Sequence, residues 1–267
     1  MKITIIGSGN MGGAIARGLA KGSLLHPADI TCTAKSDATL ERIRAEHPEF
    51  HLTLDNEEAA RGADIIVLAV KPWLVEPVIR QIKPALDYER QMIVSVAAGI
   101  TFDQLGEWLA KPDDLDSPTA PALFRVMPNT AIEVMNSMTF VAAQNATNEQ
   151  TQLILRLFDE LGSAMLIEER LLPAGTALAS CGIAYALRYI RAAIEGGVEL
   201  GFYPKQAREV VARTVIGAAE LLLQHESDPE TEIDKVTTPG GITIKGLNEM
   251  ELAGFTPAVI RGLKASR

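Results

Sequence analysis

The amino-acid sequence predicts an α/β domain with a mostly parallel sheet, followed by an all-helical domain. Three observations predict it. Short β-branched runs alternate with amphipathic helical patterns up to Val96, a glycine-rich turn follows the first of these runs, and helical periodicity replaces the alternation after Asn148. Strands that alternate with helices are typical of βαβ units and parallel sheets. We expect the boundary near residue 165, which predicts domains of residues 1–165 and 166–267.

The predicted strands are short runs rich in Ile, Val and Thr, and the predicted helices carry apolar residues at helical spacing. The strands of the first domain are Lys2–Ile6, Ile30–Thr33, Ile65–Val70, Met92–Val96, Phe124–Val126, Met138–Ala142 and Ala164–Ile167. The helices of this domain are Met11–Lys21, Ala38–Glu46, Trp73–Ile82 and Gln150–Leu161. The second domain has helices Pro173–Leu200, Pro204–His225, Ile242–Leu252 and Pro257–Lys264. The Pro- and Asp-rich stretch Lys111–Pro121 is typical of a surface loop.

Composition excludes several classes of protein. The chain has 267 residues, 47% of them hydrophobic, which suffices for a large core. Its formal charge of −9 comes from scattered acidic residues, which argues against a nucleic-acid partner. Cys32 and Cys181 are the only cysteines and lie far apart, and no secretory signal precedes the first strand. We therefore expect a cytoplasmic protein without a disulfide framework or a metal site.

One apolar stretch raises the question of a membrane span. Residues Leu171–Leu187 carry no formal charge. The stretch is shorter than the ~20 apolar residues that a span requires, and Thr176, Ser180 and Gly182 interrupt it. The sequence therefore predicts a buried helix here and no membrane contact.

The segment Gly7-Ser8-Gly9-Asn10-Met11-Gly12 fits the pattern G-x-G-x-x-G between a strand and a helix. In dinucleotide-binding proteins the first glycine permits the turn and the second lets the backbone approach the pyrophosphate. The third allows close packing of helix on strand. Glycine turns also occur for structural reasons alone, but the position of this one favours a dinucleotide.

The end of the second strand bears on which dinucleotide is bound. Enzymes that prefer NAD usually place an acidic residue there to hold the ribose 2′-hydroxyl. This chain has Ala34-Lys35-Ser36 instead. A cation and a hydroxyl suit a 2′-phosphate, so we expect NADPH. Asp37 follows directly and leaves NADH possible.

Two further strand ends reach the same crevice, where open α/β sheets bind ligands. Ala69-Val70-Lys71-Pro72 follows one strand and Val96-Ala97-Ala98 follows the next. Small residues allow a flat nicotinamide ring to lie against the backbone. Lys71 is either a cofactor ligand or a solvated lysine at a helix start.

A late turn, Thr238-Pro239-Gly240-Gly241, immediately precedes a helical pattern. Such a junction aims free backbone N–H groups at whatever lies before the helix, which favours a small anion. Thr243 is either a ligand contact or an ordinary capping hydroxyl. With the glycine loop, this turn predicts an enzyme that reduces a small carboxylate-bearing molecule.

Four phrases together, GSGNMGG, LAVKP, RVMPNTA and VTTPGGITIKGLNEME, closely resemble the pyrroline-5-carboxylate reductase family over almost the whole chain. The resemblance implies a Rossmann domain and an all-α dimerisation domain that intertwines with a second subunit, giving a homodimer or a larger homo-oligomer. It implies NAD(P)H-dependent reduction of the cyclic imine 1-pyrroline-5-carboxylate to L-proline, the last step of proline biosynthesis.

The resemblance also implies site residues. The cofactor contacts are Ile6, Gly7, Ser8, Gly9, Asn10, Met11, Lys35, Ser36, Asn56, Ala69, Val70, Lys71, Pro72, Val96, Ala97 and Ala98. The substrate contacts are Thr238, Gly241, Ile242, Thr243, Glu169 and Glu226. Among these Thr243 is expected to act in catalysis, by hydrogen-bonding the ring nitrogen.

The chain departs from the family pattern at several points. Where the family usually reads Ser-Gly-Ser-Gly-Pro-Ala-Tyr, this chain has Ala179-Ser180-Cys181-Gly182-Ile183-Ala184-Tyr185, and Ala131 replaces a proline. These changes keep two alternatives open: a reductase of a related cyclic imino acid, and a non-catalytic paralogue that binds the dinucleotide. A β-hydroxyacid dehydrogenase is disfavoured, because that class expects a catalytic Lys that the helix Pro173–Leu200 lacks.

Overall fold

A computed structural model describes residues 1–111 and 120–266. Its strands are β1 Ile3–Ile6, β2 Ile30–Thr33, β3 His51–Thr53, β4 Ile65–Leu68, β5 Met92–Ser95, β6 Ala122–Met127, β7 Ser137–Gln144 and β8 Gly162–Leu166. Its helices are α1 Asn10–Leu19, α2 Asp37–Glu46, α3 Asn56–Ala60, α4 Pro72–Ile82, α5 Phe102–Leu109, α6 Asn148–Asp159, α7 Leu172–Gly175, α8 Gly182–Glu199, α9 Pro204–His225, α10 Pro229–Val236, α11 Ile242–Leu252 and α12 Phe255–Ala265. Most of the predicted loop Lys111–Pro121 lies outside the described residues.

In the described residues, eight strands form one sheet in the order β3-β2-β1-β4-β5-β6-β7-β8. All neighbours are parallel except β6 and β7, which pair antiparallel. The prediction of a mostly parallel sheet is therefore confirmed. Strand β1 lies at the centre because β2 and β4 pair with its two edges.

The central strands are buried on both faces, which explains why they read as continuous apolar runs. Alternate side chains enter two cores: Ile5 and Ile65 pack with Ile15 of α1 on one face, and Ile66 packs with Ile79 of α4 on the other. Each is at most 1% exposed. Burial of this kind stabilises the domain by about 1.5–3 kcal/mol for each large side chain.

Four elements were absent from the prediction: β3, α3, α5 and α10. Strand β3 has three residues and α3 has five, which is too short for a periodic signal. A capping box of Thr101 and Gln104 begins α5, so the capping pattern, rather than the apolar period, marks that helix.

The chain divides into two compact units, Met1–Ser180 and Cys181–Arg267. The division falls later than residue 165 because α7 and the residues after it pack against the first unit. Leu172 is 1% exposed, and Gly175 lies so close to Phe140 of β7 that a Cβ would stand 2.7 Å from its ring.

The predicted long helix Pro173–Leu200 is interrupted. A π-helical turn, Thr176–Cys181, separates α7 from α8. The chain itself does not bury α8, since the described residues of this helix, which include all of it, contain no buried position. Leu187 is 58% exposed and Tyr189 is 42% exposed. By length and composition alone, one segment of the described residues, Glu169–Glu199, could cross a membrane, because an 18-residue window within it has a mean hydropathy of 1.2.

Candidate functional site

The carboxyl ends of β1 and β4 form the centre of the first candidate site. Because β1 pairs with β2 on one edge and with β4 on the other, the connections that leave these strands diverge and open a crevice. The predicted contacts from Ile6 to Ala98 lie at this carboxyl edge of the sheet. They are the last residue of β1, residues that directly follow β1, β2, β4 and β5, and residues in the first turns of α1, α3 and α4.

The glycine loop is fixed by its neighbours. Gly7 has a φ of +96°, and a Cβ there would lie 2.7 Å from Cγ1 of Val70. A Cβ on Gly12 would clash with the carbonyl oxygen of Gly7 and with Ala69. Packing within the chain thus explains the first and third glycines and holds the loop against the end of β4.

Gly9 has a different surrounding. A Cβ added to it would meet no atom of the described chain within 4 Å, so internal packing does not require glycine there. Gly9 precedes α1, whose first turn contains no acidic residue. An open approach to free N–H groups at a helix start fits a pyrophosphate. The residues present therefore fit a dinucleotide.

The next strand supports the loop through a chain of hydrogen bonds. The Gly7 N–H donates to Oγ1 of Thr33 at 3.3 Å, and that hydroxyl donates to Oδ1 of Asn56 at 2.7 Å. Asn56 in turn donates to Gln81 at 2.9 Å. The predicted contact Asn56 is thus oriented by the protein itself. Lys35 is exposed at the end of β2 and forms no ion pair with any described residue.

The ends of β4 and β5 complete this edge. Ala69 and Val70 are half-buried, whereas Lys71 is exposed and precedes α4 as its N-cap residue. Val96 is half-buried and Ala97 is buried, while Ala98 is exposed. The structure thus brings the predicted cofactor contacts to one edge of one sheet.

Two buried polar side chains, Ser8 and Cys32, lie in or close to the glycine loop. Ser8 Oγ is buried beside the Cys32 thiol. Burial raises the pKa of the Cys32 thiol to about 11, so this thiol stays protonated at neutral pH and is a poor nucleophile.

The late turn is the second candidate site. The Gly241 N–H donates to the Thr238 carbonyl at 2.9 Å and Gly240 has a φ of +72°, which is a β-turn with Pro239 and Gly240 at its centre. A Cβ on Gly241 would stand 2.7 Å from Oγ1 of Thr238. Helix α11 then begins at Ile242 without an acidic residue in its first turn.

The side chains of this turn are exposed and available. Ile242 is 86% exposed. The hydroxyls of Thr238 and Thr243 are exposed and form no hydrogen bond with the described part of the chain. Thr243 is therefore not occupied as a helix cap here. Glu226 is exposed and ends α9 with a φ of +49°.

Glu169 has partners within the first unit. Its Oε1 accepts a hydrogen bond from the Phe102 N–H at 2.7 Å and forms an ion pair with Nη1 of Arg125 at 2.7 Å. The resemblance implies a substrate contact at Glu169, but this carboxylate holds α5 and β6 together.

The loop after β6, which the sequence did not assign to either candidate site, is joined by hydrogen bonds to the residues before α8. The buried Asn129 caps the following turn through Ala131 N–H and donates to the Ala179 carbonyl at 3.4 Å. Ser180 Oγ donates to the Pro128 carbonyl at 3.2 Å. The π-helical turn is therefore attached to the carboxyl edge of the sheet. The Met-Pro-Asn-Thr phrase was visible in the sequence, but its partner lies 50 residues away.

Three further features of the described residues were considered as sites: Tyr185, possible metal ligands and a cavity beside α5. Tyr185 donates to the Gly262 carbonyl at 3.3 Å and so ties α8 to α12. The described residues contain no group of three His, Cys, Asp or Glu side chains that could hold a metal ion. A cavity of about 460 Å³ between α5 and β6 adjoins Lys111 and Ala120, at the amino edge of the sheet, and it contains none of the predicted contacts.

Comparison with known families matches both parts of the chain. The model described as pyrroline-5-carboxylate reductase dimerisation matches residues 169–267. The model described as NADP oxidoreductase, coenzyme F420-dependent, matches residues 2–99. The exposed apolar helices of the second unit thus lie within a region whose family is described by its dimerisation.

Individual proteins are similar over nearly the full length. The chain is 38% identical to pyrroline-5-carboxylate reductase 1 of Dictyostelium discoideum over 99% of this chain, although it spans only 48% of that protein. It is 36% identical to reductase 2 of the same organism, over 99% of this chain and 90% of that protein. The crystal structure of Plasmodium falciparum pyrroline carboxylate reductase with NADP bound matches with a TM-score of 0.85 at 26% identity, covering 100% of this chain and 95% of that chain. The resemblance is confirmed, and the chain belongs to the pyrroline-5-carboxylate reductase family of oxidoreductases.

Proposed function

We propose that this chain reduces 1-pyrroline-5-carboxylate to L-proline, the last step of proline biosynthesis, with NADPH as the hydride donor. The observation that carries the proposal is the late turn, where the hydroxyls of Thr238, before α11, and Thr243, in its first turn, form no hydrogen bond with any described residue. A helix start favours a carboxylate, and a threonine hydroxyl can form a hydrogen bond with a ring nitrogen.

In this proposal the first unit holds the cofactor. Backbone N–H groups at Asn10 and Met11, with the dipole of α1, bind the pyrophosphate. Lys35 and Ser36 bind the 2′-phosphate, which makes NADPH the preferred donor over NADH. When bound, NADPH supplies a hydride from C4 of its nicotinamide ring. The remaining contacts are Ile6, Gly7, Ser8, Gly9, Asn56, Ala69, Val70, Lys71, Pro72, Val96, Ala97 and Ala98.

The late turn holds the imino acid. Thr238 and the N–H groups of Gly241 and Ile242 bind the carboxylate. The Thr243 hydroxyl hydrogen-bonds the ring nitrogen and keeps a proton there while the imine carbon is reduced. A protonated imine is already electrophilic, so correct positioning supplies most of the acceleration. Glu226 is a substrate contact, whereas the Glu169 carboxylate is held by Arg125 and the Phe102 N–H.

We further propose that the active protein is a cytoplasmic homodimer or a larger homo-oligomer. Apolar side chains on α8 and α9 support this, since Leu187, Ile216 and Leu223 are 58%, 56% and 77% exposed. Several large apolar side chains exposed on neighbouring helices are typical of an interaction surface.

The proposal is tested by mixing the full chain with NADPH and a panel of cyclic imino acids and following NADPH absorbance. We expect turnover with 1-pyrroline-5-carboxylate and slower turnover with NADH. Faster turnover of a ring of another size would reassign the substrate. Tight NADPH binding without oxidation by any imino acid would favour the non-catalytic paralogue.

A further inference from the structure

The ion pair of Arg125 and Glu169 joins three elements that are distant in sequence. Arg125 lies on β6 and is 8% exposed. Its Nη1 is 2.7 Å from Oε1 of Glu169, and the same oxygen accepts the Phe102 N–H at the start of α5. Glu169 lies after β8 and begins a short 3-10 turn, Glu169–Leu171. One carboxylate oxygen thus connects β6, α5 and this last segment.

These contacts hold both ends of the loop between β5 and α5. Arg125 pairs in register with Ser95, the last residue of β5, so one end is fixed by the sheet. The other end is Phe102, whose N–H is held by Glu169. A carboxylate at a helix start is favoured by the helix dipole, and a charged acceptor strengthens the bond. The loop between them contains Val96, Ala97 and Ala98.

The charge of the buried Arg125 holds the Glu169 carboxylate in this position. A guanidinium as deeply buried as that of Arg125 is destabilising without a counter-charge, and no other ion pair of Arg125 exists among the described residues. Moving Glu169 to a substrate would break the pair and also free the Phe102 N–H. The contacts therefore support a positioning role rather than contact with the imino acid.

We propose that Arg125 and Glu169 are a positioning pair that fixes the loop Val96–Thr101, which contains the expected cofactor contacts Val96, Ala97 and Ala98. This inference rests on the proposed function, because it assigns the loop to the cofactor. Neither side chain touches the reacting atoms. The pair acts by holding the backbone of residues 96–98 in one position, where it would support the cofactor, and misplacement by about 1 Å can slow a reaction about a hundredfold.

The experiment compares Glu169→Gln, Arg125→Met, the double variant and Arg125→Lys in the full chain. Glu168→Gln is the matched control, because it breaks a neighbouring but exposed ion pair with Arg170. Three quantities are measured: hydrogen–deuterium exchange of residues 96–102 without cofactor, kcat, and KM for the imino acid. The double variant removes both charges and leaves no lone buried guanidinium, so it remains informative where a single variant unfolds.

We expect faster exchange at residues 96–102 in both single variants and in the double variant. We expect kcat to fall about tenfold while KM for the imino acid changes by less than about twofold. The double variant should be no slower than the slower single variant, because both changes break one interaction. Arg125→Lys should recover part of kcat, and Glu168→Gln should match the parent.

Two results would overturn the inference. A rise in KM for the imino acid in Glu169→Gln, with unchanged exchange and a normal Arg125→Met, would make Glu169 a substrate contact. A lower melting temperature with unchanged kcat, KM and exchange would make the pair purely structural. If the parent itself oxidises no NADPH, the proposed function fails, whereas the exchange measurement still tests whether the pair fixes the loop.

Discussion

The glycine loop Gly7–Gly12 and the late turn Thr238–Gly241 both precede a helix with free N–H groups, but their surroundings differ. The glycine loop follows β1, and Ile6 and Ile15 on either side of it are at most 1% exposed. The late turn has no such support, because α11 contains no buried residue in the described chain. The difference indicates that one chain builds the cofactor cradle by itself, while the second unit has apolar faces that need a further surface.

The largest effect should come from the exposed apolar face of α8. Leu187→Arg places a charge where we propose that two subunits pack, and a two-fold dimer contains the substitution twice. Losing about 1.5–3 kcal/mol per leucine weakens the dimer about a thousandfold. Analytical ultracentrifugation should show monomers, and these should still bind NADPH.

The control for Leu187→Arg is Glu41→Arg, which changes an exposed residue of α2 in the first unit. It should sediment like the parent. A dimer that persists in Leu187→Arg would mean that α8 is not the contact between subunits. A second subunit on α8 would then no longer explain why the second unit has exposed apolar faces.

The next effect concerns the cradle itself. Gly9→Val adds a side chain where the chain leaves open space, so it should fold normally and weaken NADPH binding about a hundredfold, since bonds to a charged group contribute about 1.5–3 kcal/mol each. Fluorescence titration measures the affinity. Gly12→Val is the contrast, because it clashes with Gly7 and should lower the melting temperature as well. Equal melting temperatures for both variants would contradict the conclusion that internal packing requires glycine at position 12 but not at position 9.

A smaller effect is expected at the late turn. Thr243→Val keeps the shape of the side chain and removes the hydroxyl, so kcat should fall by roughly tenfold or more, the value of one orienting hydrogen bond. NADPH affinity and the melting temperature should not change, because Thr243 is exposed. Thr243→Ser, which keeps the hydroxyl, is the control and should retain most activity. A parental rate in Thr243→Val would exclude Thr243 from the reaction.

The smallest effect should come from the π-helical turn. Ser180→Ala removes the hydrogen bond to the Pro128 carbonyl and should lower the free energy of unfolding by about 1 kcal/mol. Ser180→Gly, the residue usual in the family, should cost a further ~0.5 kcal/mol through backbone entropy. Chemical denaturation measures both. Unchanged stability in Ser180→Ala would show that this bond does not hold the turn to the loop after β6.

Local patterns predicted much of the first unit. The strands β1, β4 and β5 are mainly apolar runs whose residues are all buried, and burial of both faces is what makes such runs visible. The glycine loop was equally clear, since Gly7 and Gly12 are required by contacts within a few residues or with the adjacent strand. Short elements such as β3 and α3 were missed, because three or five residues carry no period.

The sequence by itself determined the parallel sheet, the family and the two helix starts that the proposed site uses, because each depends on residues close together in the chain. Only the tertiary structure decided where Glu169 binds, since its partner Arg125 is 44 residues away and leaves no local pattern. The tertiary structure also showed that this chain does not itself cover α8. Periodicity reports that a helix has an apolar face, but it does not tell whether the same chain covers that face.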